Sequence, residues 1–170
     1  MKTGTISIMC ASLVLTIAIT ASAQVKAGSD EDKAYKKIIA EKNVDAQIPL
    51  LNDFAANFPQ SKVLPDVYLM LVDIYNDKHD TAKVTEYGEK AVKADPQNVT
   101  ALVQVSRVYA MERKNLDVAV SYAQKAVDNV DKMKTQPAPP NYTDAEWKQL
   151  IKDNEEAAKG QLNYAKAVKQ

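Results

Sequence analysis

Few residues of this chain have the type and the spacing that enzymatic chemistry requires. His79 is the single histidine, and it stands between Asp77 and Asp80 in a polar stretch. One imidazole and two neighbouring carboxylates are a poor ligand set for zinc, so we interpret this stretch as a solvated turn. The sequence contains no serine–histidine–aspartate pattern and no glycine-rich phosphate loop. We therefore predict no catalytic residue, no metal and no cofactor, and we keep an enzyme with an unrecognised site as an alternative.

Three carboxylates recur at helical spacing and indicate binding rather than catalysis. Asp66, Asp73 and Asp77 fall at positions i, i+7 and i+11 of one predicted helix, and Leu69 and Asn76 share their face. A mixed acidic and apolar face of this kind suits a basic and apolar peptide. The predicted partner-binding residues lie on this helix and at matching positions one repeat later: Leu69, Asp73, Asn76, Asp77, Val103, Arg107 and Met111.

A simpler interpretation of this face is an ordinary solvated surface. Asp73 and Arg107 occupy equivalent positions in successive repeats, and an exposed ion pair between them would stabilise the fold little. In the binding interpretation, Leu69, Val103 and Met111 supply apolar contact, while the charged groups set the orientation and the association rate of the partner. The sequence leaves both interpretations open.

The elements that position these residues form an internal repeat. Residues 65–98 are predicted to form two amphipathic helices joined by a polar turn, and residues 99–130 repeat this pattern. Tyr75 recurs as Tyr109 after 34 residues. Four further matches lie 35 residues apart: Tyr87, Lys90, Ala91 and Val92 recur as Tyr122, Lys125, Ala126 and Val127. A period of this length is typical of stacked helical hairpins.

These positions resemble the tetratricopeptide repeat, a family of helical hairpins. The matching residues of the first repeat are Tyr68, Leu71, Val72, Tyr75, Val84, Ala91 and Pro96, and those of the second are Leu102, Val105, Ser106, Tyr109, Ala119 and Ala126. Gly88 stands where the family has an aromatic residue, and Tyr87 beside it is expected to fill that space. The resemblance implies an all-α, right-handed stack of about three hairpins over residues 32–131, in which the first helices line a concave groove for a peptide or a helix.

Capping residues predict where the first helices begin. Ser29 followed by Asp32 resembles a capping box and predicts a helix from Asp30. Asn43 and Asp45 break this helix, and either can cap the next one. Pro49 is then expected in the first turn of the second helix, because a missing N–H costs least there.

The N-terminal 23 residues are a mostly apolar run that ends in Ala21-Ser22-Ala23. This pattern predicts a signal peptide over residues 1–23, cleaved between Ala23 and Gln24, and then a flexible lead over residues 24–31. An uncleaved membrane anchor is the alternative. After cleavage the protein would be periplasmic or secreted, would touch a membrane only through the transient signal, and would lack cysteine because Cys10 leaves with the signal.

A proline-rich stretch separates the repeats from the C-terminal segment. Three prolines in four residues favour an extended loop within residues 132–142. Thr143 and Glu146 form a predicted capping box, and Trp147 lies on the apolar face of the helix that follows. Residues 143–170 are therefore either one capping helix or an incomplete fourth repeat.

Composition and resemblance together predict a binding protein. Lys plus Arg and Asp plus Glu both number 22, so nothing in the overall charge favours nucleic acid or an anionic membrane as a partner. The junction at residues 59–66 resembles those of tetratricopeptide proteins that serve outer-membrane assembly and the Tol system in the bacterial periplasm. We predict a non-catalytic scaffold of the cell envelope that binds a protein or peptide. The alternative is an envelope-assembly accessory subunit that uses its proline-rich loop and C-terminal helix; partner identity and oligomeric state stay open.

Overall fold

A computed structural model describes residues 25–170 of the chain, and within this range every regular element is a helix. The seven helices of this range are α1 (Asp30–Ala40), α2 (Val44–Asn57), α3 (Leu64–Asp77), α4 (Thr81–Ala94), α5 (Val99–Met111), α6 (Leu116–Lys134) and α7 (Asp144–Lys169). The prediction of an all-α protein is confirmed. The predicted signal peptide and its cleavage site lie outside the described residues.

Side-chain caps set the first residues of most of these helices. The Ser29 side chain accepts a hydrogen bond from the Asp32 N–H, and α1 begins at Asp30 as predicted. The predicted capping box of α7 is confirmed as well. The Thr143 side chain accepts from the Glu146 N–H at 3.2 Å, and the Glu146 carboxylate accepts from the Thr143 N–H at 2.8 Å.

Pro49 lies deeper in its helix than we predicted. The Asn43 side chain accepts hydrogen bonds from Asp45 and Ala46, so α2 already begins at Val44 and Pro49 falls in its second turn rather than its first. The cap at Asn43 decides the start of the helix. Proline has no N–H, so the Asp45 carbonyl lacks its usual helical partner at Pro49. Asp45 and Pro49 are both exposed, so this carbonyl can bond to water.

Consecutive helices pack against one another along the chain, and α5 also packs against α7. A close approach occurs where Gly88 of α4 meets Val105 of α5. A Cβ atom placed on Gly88 would lie 2.6 Å from Val105 Cγ2. Tyr87 fills the neighbouring space, because its ring stacks on Tyr75 at 5.5 Å and its hydroxyl donates to Asn52 Oδ1 at 2.9 Å.

The segment before α1, predicted as a flexible lead, is tied to the rest of the fold. Val25 is 7% exposed and belongs to the core that α1–α4 share. The Gly28 N–H donates to Asp32 Oδ2 at 2.8 Å, and Gly28 has a φ of +80°, a conformation that suits glycine.

The C-terminal segment forms one continuous helix, α7 (Asp144–Lys169). Its buried residues lie in its second half: Ala158, Gln161, Leu162 and Ala165. The Gln161 amide donates to Ser106 Oγ at 3.0 Å, and Ser106 in turn donates to the Ala119 carbonyl at 2.7 Å. Trp147, predicted to lie on the apolar face of this helix, is half-buried, and its ring centre lies 5.7 Å from that of Tyr142.

Candidate partner-binding face

The residues predicted to bind a partner lie on α3 and α5, but their side chains differ in exposure. Leu69 is 3% exposed and belongs to the core cluster that also contains Leu102 and Val105 of α5. Leu69 therefore packs in the core beneath this face and has almost no solvent-accessible surface for a partner. Val103 is half-buried, and Met111 is 66% exposed. Of the three predicted apolar contacts, Met111 offers by far the most accessible surface.

A polar relay joins the two helices at the centre of this face. Gln104 Nε2 donates to Asp73 Oδ1 at 3.4 Å, and the Arg107 guanidinium donates to Gln104 Oε1 at 2.5 Å. An amide can serve both partners because it carries a donor and an acceptor. The Gln104 amide thus links Asp73 to Arg107 by hydrogen bonds. Among the described residues, Asp73 and Arg107 form no direct ion pair.

Gln104 is the residue that the sequence analysis missed. It lies one helical turn before Arg107, a spacing at which side chains on a helix meet. That spacing was readable from the sequence. Its bond to Asp73, 31 residues away, depends on the separation and rotation of two helices, which a sequence pattern does not contain.

Two carboxylates of this face, those of Asp66 and Asp73, have a raised pKa. Burial and then the neighbouring Asp77 carboxylate raise the pKa of Asp73 to about 6, although the Arg107 guanidinium acts in the opposite direction. Burial and the Asp95 carboxylate likewise raise the pKa of Asp66 to about 6. Desolvation disfavours the charged form of both groups. A cation brought by a partner would offset that cost.

Asn76 and Asp77 continue the face to the end of α3, and both are exposed. His79 follows in the turn, is exposed, and has a φ of +58°. Across residues 25–170 no group of three or more histidine, cysteine, aspartate or glutamate side chains could hold a metal ion. In the same range, no helix has the length and apolar character needed to cross a membrane.

Comparison with known proteins gives no relative for this chain. No protein-family model matches the sequence, no curated protein matches it, and no solved structure matches the fold. Function must therefore be inferred from the residues of the chain itself.

Proposed function

We propose that this protein is a non-catalytic binding protein of the bacterial cell envelope, built from stacked hairpins of the tetratricopeptide type. The packing order supports this proposal, since α3 packs on α4, α5 packs on α6, and the two pairs meet through α4 and α5. The equivalent residues Val72 and Ser106 are both fully buried, as helices that approach closely require.

The proposed ligand is a short basic and apolar segment of another protein, held along α3 and α5. The Asp73 carboxylate is the observation that carries this proposal. It is half-buried beside Asp77 and receives one long hydrogen bond, of 3.4 Å, from Gln104. A lysine or arginine of the partner would supply the charge-assisted hydrogen bonds that this carboxylate lacks, and Met111 would give the segment apolar contact. Such a short face would bind with roughly micromolar affinity.

The test is crosslinking and pull-down from the native envelope with a charge-swapped protein. The variant combines Asp73→Lys with Arg107→Glu, so it keeps both charges but reverses their positions beside Gln104. Asp53→Lys is the matched control, because Asp53 is an exposed aspartate of α2 outside this face. We expect the charge-swapped protein, with unchanged circular dichroism, to lose a partner that the wild type and the control retain. Retention of every partner would refute the assignment of this face.

The same pull-down distinguishes binding through this face from binding through the proline-rich loop. A protein that lacks residues 136–140 of the proline-rich loop tests binding through that loop. Loss of the partner only in the loop deletion would favour the accessory-subunit function.

Export is the second half of the proposal. The intact mass of the protein recovered from the envelope should correspond to a chain that begins at Gln24. A mass that includes residues 1–23 would contradict cleavage.

A further inference from the structure

A second groove lies between α4 and α6 and has a volume of about 480 Å³. One face of α4 lines it together with Tyr109 of α5 and Tyr122 of α6. Tyr109 is two residues from Arg107 and so points about 200° away from it around α5. The groove therefore lies on the opposite side of α5 from the face proposed above.

Two of the four charged residues that line this groove, Glu86 and Lys90, already pair with each other. Glu86 accepts hydrogen bonds from Lys83 at 2.8 Å and from Lys90 at 2.7 Å. The Lys90 ammonium also lies 4.7 Å from the centre of the Tyr87 ring. One carboxylate and two ammonium groups leave this end of the groove with a net charge of +1.

Glu89 differs from Glu86 because its partner is a neutral group. The Tyr109 hydroxyl donates to Glu89 Oε1 at 2.7 Å. Among the described residues no lysine or arginine forms an ion pair with Glu89, although Lys93 stands one turn further along α4. Burial, followed by Glu89, raises the pKa of Tyr109 and of Tyr122, so both phenols stay protonated at neutral pH.

We propose that this groove is a second binding site, which takes an arginine side chain of a protein partner between Tyr109 and Tyr122 and against Glu89. The proposal goes beyond the binding face on α3 and α5. A carboxylate has about four lone-pair positions, so Glu89 keeps acceptor capacity for a guanidinium beside its phenol hydrogen bonds. Arginine fits better than lysine because its planar group both stacks on aromatic rings and donates two parallel hydrogen bonds. Its aliphatic stem would pack on Val92.

A purely structural role for Glu89 is the competing explanation, in which the bond to Tyr109 only fastens α4 to α5. The two explanations differ in their response to a cationic ligand. A structural clamp predicts no discrimination between a charged probe and its neutral analogue.

The experiment titrates the protein with N-acetyl-arginine amide and follows the ring signals of Tyr109 and Tyr122 by NMR. N-acetyl-citrulline amide is the matched control probe, because it has nearly the same shape and no charge. We expect saturable shifts of both rings with the arginine probe and affinity lower by about tenfold or more with the citrulline probe. Equal binding of the two probes, or no shift up to the solubility limit of the arginine probe, would overturn the proposal.

Three variants make the test specific. Glu89→Gln should weaken binding of the arginine probe by about tenfold or more. Lys93→Ala should strengthen it, because a competing positive charge is removed. The Asp73→Lys and Arg107→Glu protein should bind the probe like the wild type, so failure here is distinguishable from failure of the proposed function. Unchanged affinity in both Glu89→Gln and Lys93→Ala would overturn the proposal even if the probe binds.

Discussion

Replacing Gly88 by alanine tests the contact between α4 and α5. The added methyl group would lie 2.6 Å from Val105 Cγ2, a distance at which either the Val105 side chain or the backbone must shift. Val105 is 1% exposed and has little free space to move into. Forcing an extra methyl group into a close-packed core costs about 1–3 kcal/mol. Against this, alanine favours a helix over glycine by up to about 1 kcal/mol.

Gly160 of α7 supplies the matched control for this substitution. It is also in a helix, but nothing lies within 4 Å of the position that its Cβ would occupy. Gly160→Ala should therefore raise the free energy of unfolding by up to about 1 kcal/mol through helix propensity alone. Both substitutions gain the same helix propensity, so the two variants differ only by the cost of overpacking at residue 88. We therefore expect Gly88→Ala to be less stable than Gly160→Ala by about 1–3 kcal/mol.

The assay is urea denaturation of the purified proteins, followed by circular dichroism. Val105→Ala should destabilise the wild type by leaving a cavity, but it should cost about 1 kcal/mol less in the Gly88→Ala protein, because the new methyl group fills part of that cavity. If Gly88→Ala stabilises the protein as much as Gly160→Ala does, α4 and α5 do not meet at this point and the reasoning fails.

Two further predictions concern buried polar groups. Ser106→Ala removes the hydroxyl that joins Gln161 to the Ala119 carbonyl and should lower the free energy of unfolding by about 1–3 kcal/mol. The exposed Ser121→Ala is its control in urea denaturation, and equal midpoints for the two variants would contradict the relay. The folded-state pKa of Asp73 is raised to about 6, above that of an aspartate in the unfolded chain. Between about pH 4 and 6 the folded protein therefore holds a proton that the unfolded chain has lost, and the free energy of unfolding falls as pH rises through this range. Asp73→Asn should therefore stabilise the protein at neutral pH, on the order of 1 kcal/mol, with little effect below pH 4. Urea midpoints across this range measure the effect, and a loss of stability at neutral pH would contradict it.

Local patterns in the sequence were sufficient for the helices and for several of their ends. Ser29 with Asp32 and Thr143 with Glu146 predicted the starts of α1 and α7 because a cap involves residues only three positions apart. The same local reasoning placed Pro49 one turn too early, since two polar residues close together could each have capped α2. The Asn43 side chain is the cap that forms.

Only the tertiary structure decided which side chains meet across helices. Gln104 bridges Asp73 and Arg107, and Leu69 lies under the face rather than on it. Helical periodicity identifies the residues that share one face of a helix, but it does not fix the depth at which a neighbouring helix covers them. Helical periodicity does not predict the groove between α4 and α6 either, because Glu89 and Tyr109, which meet there, are separated by 20 residues. Their hydrogen bond requires α4 and α5 to lie close together, and the separation between these helices is set by packing in three dimensions.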